Sequence, residues 1–345
     1  MQIQEHVPLA PLTTIGVGGP ARYFVEARAI SEISEAVDFS RARNLPLFVL
    51  GGGSNLVISD NGWPGLVLRV AISGIEERQR AVFEVGAGEE WDKFVALAVA
   101  RNCAGIECLS GIPGSVGGTP VQNVGAYGQE VAETISSVLA FDLRDRQVRE
   151  LCNEACGFSY RTSLFNTSER GRFIILRVTY ELMPGGEPRI QYADLKKYFA
   201  GWSGPPTLAE ARDAVRKIRA SKGMLLSPGD ADSRSAGSFF KNPVVSLEQY
   251  QQLSARAAAK KLTIPSYPAL DALRKVSAAW LVEHSGFSKG FGPGRVGISR
   301  KHALAIVNRG EATGADIVAF KAEIQDRVEQ IWGIRLEPEP VFVGF

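Results

Sequence analysis

Residues 236–242 read Ala-Gly-Ser-Phe-Phe-Lys-Asn and set one hydroxyl in an apolar, tight-backbone context. Ser238 there is either a hydrogen-bonded structural residue or a proton carrier in a dry pocket. Arg161 closes the run Phe158-Ser159-Tyr160-Arg161 and offers a planar fork suited to a carboxylate; the alternative is a surface arginine. Glu339 lies between Pro338 and Pro340, which fix the backbone and hold a carboxylate at low entropy cost, though an exposed tail acid would read the same way. Tyr192 and Lys222 carry weaker signals and are surface residues by default.

Two loops could hold a phosphate. Gly51, Gly52, Gly53, Ser54 and Asn55 can present consecutive amides, with no side chains to keep an anion away. No Gly-Lys-Ser/Thr follows, so this is not a Walker loop, and the spacing does not fit the dinucleotide fingerprint. The second loop, 109–128, contains Gly111, Ile112, Pro113, Gly114, Gly118, Thr119, Asn123, Gly125 and Ala126. It is too apolar for a surface linker. A buried loop has to satisfy its amides, which a pyrophosphate or a flavin ring could accept; a compact structural loop is the other reading. Two such loops favour a large phosphate-bearing cofactor.

The elements that position these residues follow from periodicity. Residues 21–27 read as a strand, 31–44 as a helix capped by Ser31, and 45–50 as a strand running into the first glycine loop. A strand resumes at 56–59, so that loop is strand-loop-strand. Helices are expected at 91–102, 208–221, 247–260, 277–285 and 313–332. Strands are expected at 135–143, 147–151, 173–182, 303–308 and 341–343.

The 345 residues are 45% apolar and 22% charged, an ordinary globular composition with room for two or three domains. A net charge of +2 gives no reason to invoke nucleic acid or a membrane surface. No stretch approaches the roughly 20 apolar residues of a spanning helix. The N-terminus has no secretory character, so a cytoplasmic setting is expected. Cys103, Cys108, Cys152 and Cys156 read as core thiols in a reducing compartment, and with only His6, His284 and His302 a metal site is not expected.

Taken together, these motifs resemble the UDP-N-acetylenolpyruvoylglucosamine reductase family over nearly the whole chain. The likeness is carried by Thr13-Thr14-Ile15-Gly16, the loops 51–55 and 112–128, and Tyr160-Arg161. It continues through 236–243, Ser277-Ala278-Ala279-Trp280-Leu281 and 336–339. The resemblance implies an α+β protein: a two-domain FAD-binding module of the vanillyl-alcohol-oxidase type (1–70 and 71–218) and a C-terminal α+β substrate-binding domain (219–345) whose tail carries Glu339. It implies that FAD, bound non-covalently, relays a hydride from NADPH to the enolpyruvyl group of a UDP-sugar, giving UDP-N-acetylmuramate for peptidoglycan. No histidine lies between His6 and His284, which agrees with dissociable FAD.

By the same likeness Arg161, Ser238 and Glu339 match the catalytic trio. Arg161 would pair with the substrate carboxylate, Glu339 in its protonated form would hydrogen-bond the developing charge, and Ser238 would protonate the carbon alpha to the carboxylate. The glycine-loop residues named above would hold FAD. Tyr160, Tyr192, Lys222, Asn242 and His302 would contact substrate, Tyr192 on a loop of the longer subclass. After Glu339 this chain has Pro340-Val341-Phe342 where some relatives carry an arginine, so no role for that arginine carries over. The rival readings are an FAD-dependent oxidase or dehydrogenase of the same fold acting on a sugar or hydroxy acid, and a non-catalytic nucleotide-binding protein.

Overall fold

The fold is given by a computed structural model describing residues 1–227, 229–269, 273–292 and 294–345. The chain forms two compact units. The first comprises Met1–Val7, Ala21–Gly53 and Trp63–Leu225; the second comprises Pro8–Pro20, Ser54–Gly62 and Leu226–Phe345. The expected division at 70/71 falls inside the first unit, and that at 218/219 a few residues before its end. Residues 8–20 and 54–62, expected with the N-terminal segment, pack with the C-terminal one.

The two largest sheets among the described residues dominate the first unit. One has the order Gln4–Pro8, Pro20–Ala27, Trp63–Val70, Leu47–Leu50, and its last three strands run parallel. The central strand reads Leu66-Val67-Leu68 without alternation, and all three residues are buried, as a covered parallel strand requires. The crossover helix α1 (Ile30–Ala42) buries Ile33, Ala36 and Val37. It starts one residue earlier than expected. Ser31 lies inside its first turn, and the cap position belongs to Ala29, with no side-chain cap bond.

The second sheet is antiparallel, in the order Val148–Cys152, Ile135–Asp142, Phe173–Glu181, Val82–Gly86, Ile75–Gln79. Its edge strand carries Glu76, Glu77 and Arg78, charges that discourage pairing with another chain. Helix α2 (Trp91–Ala100) buries Trp91, Phe94, Val95 and Ala98; it ends before the expected Asn102, which takes a left-handed φ of 55°. A short helix α3 (Ala193–Tyr198) follows Tyr192 and was not expected. Helix α4 (Leu208–Ser221) has the expected bounds. A Thr207–Glu210 capping box starts it, and it buries Leu208, Ala211, Ala214 and Val215.

The second unit has its own core, with Phe239, Phe240, Val276, Leu281, Ile306 and Trp332 among its buried residues. Helices α5 (Leu247–Ala259), α6 (Ala278–Glu283) and α7 (Gly314–Trp332) pack around it. Ser277 and Thr313, expected inside helices, are their caps. The expected strand 303–308 is regular only over Ile306–Asn308. The strand Leu56–Ile58 pairs in parallel with Val341–Val343, so the segment after the first glycine loop holds the C-terminal strand. Asp60 accepts hydrogen bonds from the Gly314 and Ala315 amides (2.6 and 2.9 Å) at the start of α7.

Candidate functional site

In the first unit Gly51 and Gly52 of the first glycine loop meet Gly114 and Ser115 of the second. A Cβ on Gly52 would sit 2.5 Å from Gly114 Cα and 2.6 Å from the Ser115 nitrogen; one on Gly51 would sit 3.0 Å from Ser115 Oγ. At Gly52 the neighbours are backbone atoms and no side chain fits, which is the physical reason for glycine there; at Gly51 a side chain would crowd the Ser115 hydroxyl. Ser115 Oγ is buried with no hydrogen-bond partner among the described residues. Among the described residues, no carbonyl accepts from the amides of Gly52, Gly53, Gly114 or Ser115. An orphaned hydroxyl beside unclaimed amides is a cradle that fits a phosphate-bearing cofactor.

The rest of the second loop is held from within. Val116 and Gly117 donate to the Glu89 and Ala87 carbonyls (both 2.9 Å), so their amides serve the fold. Thr119 Oγ1 lies 2.7 Å from Tyr180 Oη, and burial pushes that phenol up. Asn123 donates to Glu130 Oε2 (2.7 Å) and to the Ser159 carbonyl (3.0 Å). The side chains of Thr119 and Asn123, expected at the cofactor, thus make structural bonds. Gly111 takes φ +71°. Its amide donates to Asp92 Oδ1 (2.6 Å), and its carbonyl accepts from Arg219 Nε (3.2 Å).

Arg161 sits at the tip of a tight turn. Ser159 and Thr162 exchange backbone bonds (3.0 and 3.1 Å), and their hydroxyls meet at 2.9 Å. Tyr160 and Arg161 occupy the two central positions, and Arg161 holds a φ of 57°, uncommon for a residue with a side chain. A Cβ on Gly125 would come within 3.2 Å of Arg161 Nη1, so the guanidinium lies against the hairpin formed by Gly125–Ala126 and Gln129–Glu130. Strained backbone over-determined by its surroundings is common at functional sites.

A second cluster of the same unit gathers Tyr127, Tyr192, Asp194 and Lys222. The two tyrosine rings meet edge to face at 5.4 Å, and Lys222 Nζ is 5.8 Å from the Tyr127 ring centroid. Lys222 Nζ pairs with Asp194 Oδ2 at 2.5 Å. Burial raises the Tyr127 phenol above its ordinary range. Asp194 was not singled out in the sequence; a carboxylate in a polar run becomes notable only once a lysine 28 residues away meets it.

In the second unit, Ser238 is held between two segments. The Phe239 amide donates to the Leu304 carbonyl (2.8 Å), and the Phe239 carbonyl accepts from the Glu339 amide (2.9 Å). Ser238 and Glu339, far apart in sequence, therefore lie on adjoining segments that the Phe240–Pro338 bridge also joins. Ser238 Oγ is 3.4 Å from His302 Nε2, a pairing absent from the sequence-based reading. Ser299 Oγ accepts from the His302 amide (3.3 Å) and fixes that turn.

Asn55 Nδ2 donates to the Glu339 carbonyl (3.2 Å) and the Asn55 carbonyl accepts from Val341 (2.9 Å). Expected at the cofactor, Asn55 thus anchors the Glu339 backbone. The Ser54 carbonyl accepts from Thr14 Oγ1 (3.3 Å). Asn242 Oδ1 accepts from the Ala278 amide (2.9 Å), a bond that serves the start of α6.

Residues 21–148 match the model of an FAD binding domain, and residues 228–343 match that of the UDP-N-acetylenolpyruvoylglucosamine reductase C-terminal domain. A UDP-N-acetylenolpyruvoylglucosamine reductase of Thermobifida fusca is 46% identical over 350 residues, covering 99% of this chain and 98% of that one. One of Streptomyces coelicolor is 44% identical, covering 100% and 91%. The crystal structure of the Thermus caldophilus reductase superposes with a TM-score of 0.68 at 27% identity, covering 99% of both chains.

Proposed function

This chain belongs to the UDP-N-acetylenolpyruvoylglucosamine reductase family, and from that footing we propose how its own residues carry the reaction. It is an FAD-dependent oxidoreductase of peptidoglycan precursor synthesis, reducing the enolpyruvyl group of a UDP-sugar to give UDP-N-acetylmuramate. FAD, when bound, supplies a hydride to the terminal vinyl carbon, with NADPH as the proposed source. Gly51, Gly52, Gly53, Gly114 and Ser115 are the residues proposed to hold its phosphates. We also propose that 1–70 and 71–218 act as its two binding subdomains and 219–345 as the substrate domain. No described helix is long and apolar enough to cross a membrane; a cytoplasmic setting is proposed.

As hydride arrives, negative charge builds on the neighbouring carbon and spreads into its carboxylate. Arg161 pairs with that carboxylate, and the strained turn beneath it keeps the guanidinium preorganised. Glu339 hydrogen-bonds the same developing charge, its backbone fixed by Phe239 and Asn55. Ser238 delivers the proton to the carbon alpha to the carboxylate. A hydroxyl is a weak acid, but the acceptor is a strong carbon base, and the fully buried Phe239 next to it helps keep water out. His302, 3.4 Å away, stands where it can return a proton to Ser238. Tyr160, Tyr192, Lys222, Asn242 and His302 are the proposed contacts to the substrate, with Lys222 on the diphosphate.

The observation that carries this reading is the adjoining placement of Ser238, His302 and Glu339 in a chain that matches the family along its length. The test is anaerobic absorbance of the purified holoenzyme. The flavin band is expected to bleach with NADPH and to return on addition of the enolpyruvyl sugar nucleotide. Return only with oxygen, or bleaching by a hydroxy acid, would favour the oxidase reading. Colourless protein that takes up no FAD would overturn the flavoenzyme chemistry.

A further inference from the structure

We propose that Asp194 is an internal competitor for Lys222, holding the place that a ligand phosphate must take. The inference rests on the reading that Lys222 meets the diphosphate. Lys222 terminates α4 as its C-cap residue, and its ammonium contacts Asp194 Oδ2 at 2.5 Å. Both side chains keep about a third of their surface in solvent (35% and 37%), so an anion can reach them without unfolding anything. Asp194 lies in the first turn of α3, directly after Tyr192, whose ring leans on Tyr127; Lys222 lies over that same Tyr127 ring. The carboxylate that occupies the lysine and the proposed substrate tyrosine are thus two residues apart on one segment.

A lysine presents one compact charge, and two anions cannot hold it equally well. A phosphate that takes Lys222 has to break the pair with Asp194. A partly exposed pair of this kind is weak, so displacement by a doubly charged diphosphate is feasible and its cost is modest. The pair therefore lowers the affinity for nucleotide diphosphate by a small factor. It also keeps the lysine ordered over Tyr127 before any ligand arrives.

Calorimetric binding of UDP to the FAD-loaded holoenzyme tests this with three variants. Lys222→Ala is expected to weaken UDP at least about fivefold, a lost charge-assisted contact. Asp194→Asn, nearly isosteric, is expected to tighten UDP about two- to fivefold. In the Lys222→Ala background the Asp194→Asn change is expected to have no effect, because there is nothing left to compete for. If Lys222→Ala weakens binding while Asp194→Asn weakens it too, or leaves it unchanged, the competition is wrong and Lys222's role stands. If Lys222→Ala leaves UDP binding unchanged, the diphosphate role of Lys222 fails and the competition fails with it. Unaltered flavin spectra and melting temperatures confirm that the variants are folded.

Discussion

Gly52 shows how much a single hydrogen atom can decide. Its missing Cβ leaves the room into which the second loop moves, 2.5 Å from Gly114 Cα. In Gly52→Ala the loops have to part, and closing them around a cofactor costs about 1–3 kcal/mol of overpacking. FAD affinity is expected to fall about 5- to 150-fold by that measure, read by fluorescence titration of the apoprotein. Native affinity in Gly52→Ala would show that the loop contact does not shape the cofactor site. At this scale the sequence was informative about residue types. A serine beside phenylalanines, an acid between prolines and a glycine triplet each announce unusual surroundings. It was silent on partners: that Ser238 faces His302, or that Asn55 holds the Glu339 carbonyl, depends on contacts between residues 64 and 284 positions apart.

Helix α4 ties the second glycine loop to the rest of its unit. Arg212 and Arg216, one turn apart, reach Asp92 of α2 at 2.6 and 2.5 Å, and Asp92 in turn takes the Gly111 amide. Burial raises the Asp92 pKa, but the hydrogen bonds from Arg212 and Gly111 outweigh it, and the carboxyl is held below its ordinary value. The unfolded chain therefore binds that proton more readily. The stability Asp92 contributes is present above the ordinary aspartate pKa of about 4 and is lost as pH falls through the lower folded value. Arg212→Ala is expected to cost about 1.5–3 kcal/mol at neutral pH. Its urea midpoint should depend less on pH below about 4 than that of the parent. A parent-like acid limb in Arg212→Ala would assign the effect elsewhere; Asp142, held well below the carboxylate range by its hydrogen bonds from Arg172, is the next candidate.

Helix α4 was also the element most legible in the sequence, because its Thr207–Glu210 box and apolar stripe agree. Helix α1 was less so. The serine at 31 has the right type for a cap, but the backbone turns helical one residue before it. The short α3 spans six residues, too few for a periodic signal.

The chain divides into two compact units, and the order of residues does not announce how they share the segments. Residues 54–62 begin with Ser54 and Asn55 of the first glycine loop yet belong to the second unit, because the strand Leu56–Ile58 pairs with Val341–Val343 at the far end of the chain. A parallel pairing across nearly three hundred residues leaves no local signature. The family resemblance supplied the activity, while the geometry supplied the supporting contacts. If the orphaned Ser115 and its neighbouring amides receive FAD, ligand binding has to stabilise the folded protein. At a free FAD concentration of 100 times Kd the gain is about 2.7 kcal/mol. A calorimetric scan should show a transition that rises with FAD concentration, while one insensitive to FAD would show that the folded protein does not bind it.

The central claim is that Ser238 donates the proton that completes substrate reduction, and stopped-flow measurement of the two half-reactions of Ser238→Ala tests it most directly. Flavin reduction by NADPH is expected to keep the parent rate. Flavin reoxidation by the enolpyruvyl sugar nucleotide is expected to slow by about a hundred- to ten-thousandfold. Equal slowing of both halves, or a reoxidation rate like the parent's, would contradict it.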